Sequence, residues 1–318
     1  MPKPDYAIVF PGQGAQEVGM GRDFYEAFEV SRSSFEEADD ALGFRLSKII
    51  FEGPDSELIK TALTQPAILT ASMAILRAVE REWGHRAEPL FYAGHSLGEY
   101  TALAASGVLT LGDAARLVHR RGTLMQEAVP LGAGAMSAIM GLDMETVASI
   151  CSEAEESEVC GPANFNSPGQ IVISGDAKAV ARAGELARRR GASRIIPLKV
   201  SAPFHCALMR SVADKLREEF ESYEWNTPGV PIMANTDAAP RSAAGEIRSA
   251  LYQQTYSPVL WADGVLAMKT GGAERFAEFG PGNVLSGLIK KTVKGAETIS
   301  VNKISDISRA LEFLEGDA

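Results

Sequence analysis

The chain has 318 residues, 46% of them hydrophobic and 23% charged, enough to bury one large core or two smaller ones without a metal or disulfide staple. Its formal net charge of −10, from 41 acidic and 31 basic residues, sets the overall field against nucleic acid and anionic membrane, so an anionic ligand needs a local basic feature. Three cysteines without paired spacing (Cys151, Cys160 and Cys206) argue against a disulfide framework or a structural zinc site and favour a reducing, cytoplasmic setting.

No basic leader precedes a long apolar stretch at the N-terminus, and no apolar run long enough to cross a bilayer stands out, so no membrane segment is expected. Tyr6 to Phe10 is a short apolar run stopped by Pro11-Gly12, which predicts a buried strand ending in a tight loop. Leu90 to Ala93 repeats that pattern up to Gly94, and Glu99 to Ser106 with Gly107 as a stop predicts a helix. Thr110 and Asp113 make a capping-box-like start for the next helix, whose apolar stripe is Ala114, Leu117, Val118, Leu124 and Met125.

From Ala135 the rhythm changes. Ala135 to Met140 is strand-like, Met144 to Ala154 helical, and Val159 to Phe165 and Gln170 to Ser174 flank the hairpin-type connection Asn166-Ser167-Pro168-Gly169. Lys178 to Arg190 is a helix stopped by Gly191, and Arg194 to Val200 is a last strand. The order β-α-β-β-α-β is the ferredoxin-like pattern. Beyond it, Leu208, Met209, Val212, Leu216 and Phe220 mark a helix, and strand-like runs recur at Ile232-Met233, Arg275 to Phe279 and Thr298 to Val301. The expected fold is α/β with a mainly parallel sheet, formed by residues 1–130 and 201–318, with a ferredoxin-like small domain inserted at 131–200.

Gly94-His95-Ser96-Leu97-Gly98 is a G-x-S-x-G motif between a predicted strand and a predicted helix, the context of a nucleophile elbow that exposes a serine hydroxyl. A serine nucleophile needs a base. Of the four histidines, His85 lies in a polar loop, His95 sits inside the elbow, and His119 lies off its helix's apolar stripe. His205 opens the helix that follows Pro203 on its buried face, where the positive end of the dipole favours neutral imidazole. Arg121 falls on the apolar face of its helix, and a guanidinium there must be paired. Its partner is either a protein carboxylate or a substrate carboxylate held by the guanidinium fork. The loop Phe10-Pro11-Gly12-Gln13-Gly14 can present a backbone N–H to an oxyanion, with Leu97 supplying the second donor. Gly12-Gln13-Gly14 has Glu17 where a dinucleotide fingerprint needs glycine, Gly280-Pro281-Gly282 has Leu285 there, and no P-loop lysine follows either, so cofactor binding is set aside.

Together with Arg121-Gly122, Met125-Gln126, Asn164-Phe165-Asn166-Ser167-Pro168-Gly169-Gln170, Pro203-Phe204-His205 and Gly280-Pro281-Gly282, these blocks resemble the malonyl-CoA:acyl carrier protein transacylases over residues 10–290. That resemblance implies a hydrolase-like α/β core with a ferredoxin-like insert. It implies Ser96 as the acylated residue, His205 as general base and acid, Arg121 on the malonyl carboxylate, and Gln13 and Leu97 as oxyanion-hole donors. The histidine would be oriented by a glutamine main-chain carbonyl, Gln254 or its neighbour Gln253. Phe204, Asn164 and Met125 would line the acyl pocket, with Leu97 and Phe204 pointing to malonyl over methylmalonyl.

The reaction implied is ping-pong transfer from malonyl-CoA to the phosphopantetheine thiol of acyl carrier protein, by a monomer with no metal or redox cofactor. Arg188-Arg189-Arg190 with Arg194, or Lys290-Lys291, are the candidate basic surfaces for that carrier, or simply solvated helix ends. Fatty acid synthesis is the expected pathway and polyketide synthesis the alternative. An acyl thioester hydrolase gives no reason for a buried Arg121, and a carrier-docking module would leave the elbow without work.

Overall fold

The computed structural model describes residues 4–130, 132–198, 200 and 202–316. Ten strands are present among them: β1 (Tyr6–Phe10), β2 (Phe91–Gly94), β3 (Gly134–Met140), β4 (Cys160–Ser167), β5 (Gln170–Asp176), β6 (Arg194–Pro197), β7 (Ile232–Met233), β8 (Pro240–Arg241), β9 (Arg275–Phe279) and β10 (Glu297–Val301). They form a six-stranded sheet of order β10-β9-β1-β2-β7-β8 and a four-stranded sheet of order β4-β5-β3-β6.

The larger sheet is parallel except for the two-residue edge strand β8. β1 at its centre is buried on both faces, so its side chains need not alternate with polar ones. Tyr6, Ile8 and Phe10 enter the core beneath the helices Thr61–Trp83, Leu97–Ala105 and Leu111–Glu127. Ala7 and Val9 meet Trp261, Val265, Leu285 and Ile289 on the opposite side. In register, Phe10 pairs with Gly94. The loop leaving β1 and the turn leaving β2 therefore emerge side by side at the carboxyl end of the sheet, where α/β folds place their ligands.

The helix Thr61–Trp83 corrects the expectation that no segment is long and apolar enough to cross a bilayer. It has 23 residues, a mean hydropathy of 1.3 in its most apolar window, and 83% of that window buried inside the protein. Its apolar surface is covered by the core it organises.

The smaller sheet is antiparallel throughout, and its strand order is that of a ferredoxin-like unit. Helices Met144–Glu155 and Ala177–Arg189 cover one face, packing on Ile139, Phe165, Ile171 and Ile173. Met136, Ala138, Ala163 and Val172 on the other face join the main core. Val259, packed in one cluster with Ala7 and Val9 of β1, binds the edge of the small sheet, its N–H donating to Ala163 O at 2.9 Å and its carbonyl accepting from Phe165 N at 2.8 Å. The expected boundary residues 131 and 201 lie outside the described residues.

Several elements differ from expectation at their ends. The last strand of the small sheet stops at Pro197 instead of running to Val200: Leu198 N still donates to Met136 O at 2.9 Å, but Val200 N turns back to Leu198 O at 3.1 Å and takes the chain out of the ladder. β4 runs on to Ser167, since the two-residue turn Pro168-Gly169 lets pairing continue to the hairpin end, and β5 runs on to Asp176, where Gly175 and Asp176 pair with Ala135 and Gly134 of β3. β8 escapes detection because two residues carry no periodicity.

Candidate active site

The turn after β2 is built by glycines that bring backbones into contact. A Cβ on Gly94 would lie 2.0 Å from Gly98 C, and one on Gly98 would lie 2.1 Å from Phe10 O. This closeness forces the chain directly from strand into the helix Leu97–Ala105, which starts two residues earlier than expected because Ser96 occupies its N-cap. Ser96 has φ 52 and ψ −100, a left-hand-side conformation that side chains other than glycine adopt only where the surroundings impose it. Asn235, just after β7, pins that conformation: its Oδ1 accepts from Ser96 N at 2.7 Å and its Nδ2 donates to Gly94 O at 2.8 Å.

The Ser96 hydroxyl meets His205 Nε2 at 2.7 Å, and His205 Nδ1 meets the main-chain carbonyl of Gln254 at 2.8 Å. A carbonyl can only accept, so Nδ1 carries the proton, Nε2 is the acceptor, and Ser96 Oγ donates to it. Gln254 is fully enclosed while Gln253 is exposed, which places Gln254 at the histidine. His205 is not in a helical turn, contrary to expectation. It occupies a turn at φ 59, ahead of the short 3-10 segment Ala207–Met209 and the helix Arg210–Phe220. Its pKa is pushed down to about 3, first by burial and then by the Arg121 charge, against a smaller opposing effect of the Gln254 carbonyl. The imidazole is therefore neutral for reasons of burial and neighbouring charge, and the helix dipole is not needed.

Arg121 is 1% exposed on the helix Leu111–Glu127, whose start is capped by the Thr110 hydroxyl accepting from Asp113 N at 3.0 Å. The next residue explains how it reaches the site. A Cβ on Gly122 would lie 2.5 Å from Thr61 O, so only glycine lets this helix cross so close to Thr61–Trp83. Arg121 Nη1 donates to Gln65 Oε1 at 2.8 Å, and Nη2 donates to Gln254 Oε1 at 2.9 Å and to Ser96 Oγ at 3.2 Å. Its guanidinium lies 5.1 Å from the centre of the Tyr100 ring. Nε has no partner, and no carboxylate forms an ion pair with Arg121 among the described residues. The protein-carboxylate alternative for this side chain is not what the structure contains.

The carboxylate set behind the site is Glu99, 2% exposed on the Leu97–Ala105 helix. Its Oε2 accepts from Gln254 Nε2 at 2.9 Å and from Asn235 N at 3.1 Å. Burial raises its pKa to about 7, against the lowering effects of these bonds and of Arg121. Gln254 Nε2 also donates to Ser96 O at 2.9 Å, so this glutamine touches the serine, the histidine, the arginine and the glutamate at once.

Gln13 and Leu97 flank the serine in the two adjacent turns, and neither main-chain N–H is taken by an acceptor among the described residues. The Gln13 side chain donates to Thr61 Oγ1 at 3.3 Å. Met125 is buried and joined to Arg121 through Gln65, whose Nε2 lies 3.7 Å from its sulfur. Phe204 is buried beside His205. Asn164 is buried in β4 but makes no hydrogen bond to this group; it is Asn166 whose Oδ1 meets His95 Nε2 at 2.8 Å. No group of three or more His, Cys, Asp or Glu side chains among the described residues is arranged to hold a metal ion.

Gln65, Glu99, Tyr100 and Asn235 escaped the sequence reading. The first two leave a trace, as the one amide and the one charged side chain in the mainly apolar helical stretches Thr-Gln-Pro-Ala-Ile-Leu and Leu-Gly-Glu-Tyr-Thr-Ala-Leu. Asn235 leaves none, because its role depends on β7 lying next to β2.

Residues 7–309 match the acyl transferase domain. The chain belongs to the acyl transferase family. A Haemophilus influenzae protein named malonyl CoA-acyl carrier protein transacylase is 48% identical over 309 residues, 97% of this chain and 99% of that protein. The crystal structure of an acyl carrier protein S-malonyltransferase from Vibrio cholerae superposes with a TM-score of 0.93 at 46% identity, over 96% of this chain and 99% of that one. A malonyl-transacylase solved in complex with its type II PKS acyl-carrier protein gives the same TM-score of 0.93, identity of 46% and coverage of 96% and 99%. The resemblance to malonyl-CoA:acyl carrier protein transacylases and the α/β fold with its ferredoxin-like unit are borne out in this acyl transferase.

Proposed function

We propose that this acyl transferase moves the malonyl group from malonyl-CoA to the phosphopantetheine thiol of acyl carrier protein, supplying extender units for fatty acid synthesis. The observation that carries the reading is the Arg121 guanidinium, buried without an ion-pair partner among the described residues and 3.2 Å from a serine oxygen that is itself 2.7 Å from a neutral histidine. A hydrolase for neutral acyl groups has no use for such a cation. A thioester bearing a carboxylate two bonds from its carbonyl carbon does.

In the first half-reaction the malonyl carboxylate takes the Arg121 fork and Ser96 Oγ attacks the thioester carbonyl while its proton passes to His205 Nε2. The oxyanion accepts hydrogen bonds from the Gln13 and Leu97 N–H groups, where loss of one donor commonly costs a hundredfold or more in rate. Collapse breaks the C–S bond, and the coenzyme A thiolate leaves with the proton from His205. Gln254 O holds the imidazolium in place during the transfer. The second half-reaction reverses these steps with the carrier thiol. Phe204 and Met125, with Asn164, bound the acyl pocket in this reading. The enzyme works as a cytoplasmic monomer and needs no metal or redox cofactor.

Intact-protein mass after brief exposure to malonyl-CoA or acetyl-CoA tests the proposal, with Ser96→Ala and Arg121→Ala beside the wild type and a chase with carrier protein. The expected result is a malonyl adduct that requires Ser96, is weakened by loss of Arg121, and moves to the carrier. No adduct, or one that hydrolyses whatever the acyl group, refutes it. Chasing separately with fatty acid and polyketide carriers decides the pathway.

A further inference from the structure

Arg121 is held by an unusual set of neighbours. Both of its terminal nitrogens are fixed by uncharged amide oxygens, Gln65 Oε1 at 2.8 Å and Gln254 Oε1 at 2.9 Å, over the face of Tyr100. The orientation of each amide follows from its partners. Arginine can only donate, so each glutamine must present its oxygen to it. The NH2 group of Gln254 then faces two pure acceptors, Ser96 O and Glu99 Oε2, and that of Gln65 faces the Met125 sulfur. Glu99, the carboxylate nearest in charge to Arg121 among the described residues, is turned away and kept one amide group behind the guanidinium by Gln254 and Asn235 N. A buried cation normally takes a carboxylate, which is its strongest partner.

We propose that Gln65 and Gln254 are specificity-determining positioning residues, which orient Arg121 with neutral oxygens so that its charge stays available to the carboxylate of the acyl group. The inference rests on the malonyl-transfer reading above. An internal carboxylate in either place would compete with the substrate's. A hydrocarbon would leave the fork unaimed. Gln65 separates these two effects cleanly, because its amide contacts Arg121 and Met125 and takes no part in the serine–histidine pair.

The test compares Gln65→Glu, which keeps the shape and adds the charge, with Gln65→Met, which keeps the volume and removes the acceptor. Acylation of Ser96 by malonyl-CoA and by acetyl-CoA is timed by intact mass over a range of concentrations. For Gln65→Glu the malonyl-to-acetyl ratio of kcat/KM is expected to fall by at least about tenfold, equivalent to about 1.4 kcal/mol. The fall should lie in KM, and urea unfolding of each variant beside the wild type is the control for folding. Gln65→Met is expected to lower the ratio by a smaller factor, about three- to tenfold. A structural role alone predicts the reverse order, since glutamate is the closer match in shape. Met as damaging as Glu, or an unchanged ratio in Gln65→Met taken by itself, overturns the inference. A wild-type enzyme that forms no malonyl ester would instead overturn the transfer reading on which it stands.

Discussion

Glu99→Gln tests the electrostatics of the site directly. Glu99 is enclosed, and burial raises its pKa from the usual 4.5 to about 7. For an acid, a folded pKa above the unfolded one means that the folded chain keeps a proton the unfolded chain has already lost. Stability is therefore highest below about pH 4.5, falls as pH rises through the window to about 7, and is level above it. At 1.36 kcal/mol per pH unit, the fall is about 3 kcal/mol over that window. Glutamine does not titrate, and its amide oxygen can still accept from Gln254 Nε2 and Asn235 N, so the variant keeps the contacts and loses the slope. Urea unfolding of both proteins at intervals from about pH 4 to about pH 8 measures it, because every other titrating group cancels in the difference. The difference in unfolding free energy between variant and wild type should shift by about 3 kcal/mol in favour of the variant across the series. A difference that does not change with pH refutes the reasoning, since it would mean that Glu99 ionises as freely in the folded chain as in the unfolded one.

The same geometry sets three further outcomes. Because burial and Arg121 hold His205 neutral down to about pH 3, kcat/KM of the Glu99→Gln variant, which lacks the carboxyl that titrates at about 7, should show no acid limb near the ordinary histidine value of about 6.5; an inflexion there, in its pH–rate profile, would contradict the assigned environment. Gly122→Ala puts a methyl 2.5 Å from Thr61 O and should force the two helices apart, lowering stability by about 1–3 kcal/mol in thermal or urea unfolding and weakening malonyl acylation more than acetyl. Asn235→Ala leaves Ser96 N and Gly94 O without their partner, so acylation by malonyl and acetyl thioesters should slow together by about tenfold or more; a change confined to malonyl would show that Asn235 acts on the arginine and not on the turn.

Much of the fold is legible in the sequence because its signals are local. Tyr6–Phe10, Ile232–Met233 and Arg275–Phe279 are strand-like runs closed by turn or breaker residues, and they are strands as read. The β-α-β-β-α-β order of the small sheet follows from alternating periodicities and one Pro-Gly turn. Ser96 is marked by its glycines, and Arg121 by a charge on an apolar stripe that only burial could explain. His205 is legible as a buried histidine, but its surroundings were not: a left-handed turn residue next to a proline-led loop looks, in one dimension, like the first turn of the helix behind it.

Most of the elements, the nucleophile turn and the residue types that transfer of a carboxylate-bearing acyl group demands are thus readable along the chain, since each depends on spacing within one segment. How Arg121 is kept free is settled by the packed fold. That depends on Gln65, Glu99, Asn235 and Gln254, which come from four separate segments and meet because β2 lies between β1 and β7 and because Gly122 lets two helices touch. A buried charge is tuned by whatever surrounds it within a few ångströms, and those neighbours are set by packing between distant parts of the chain, which no local pattern records.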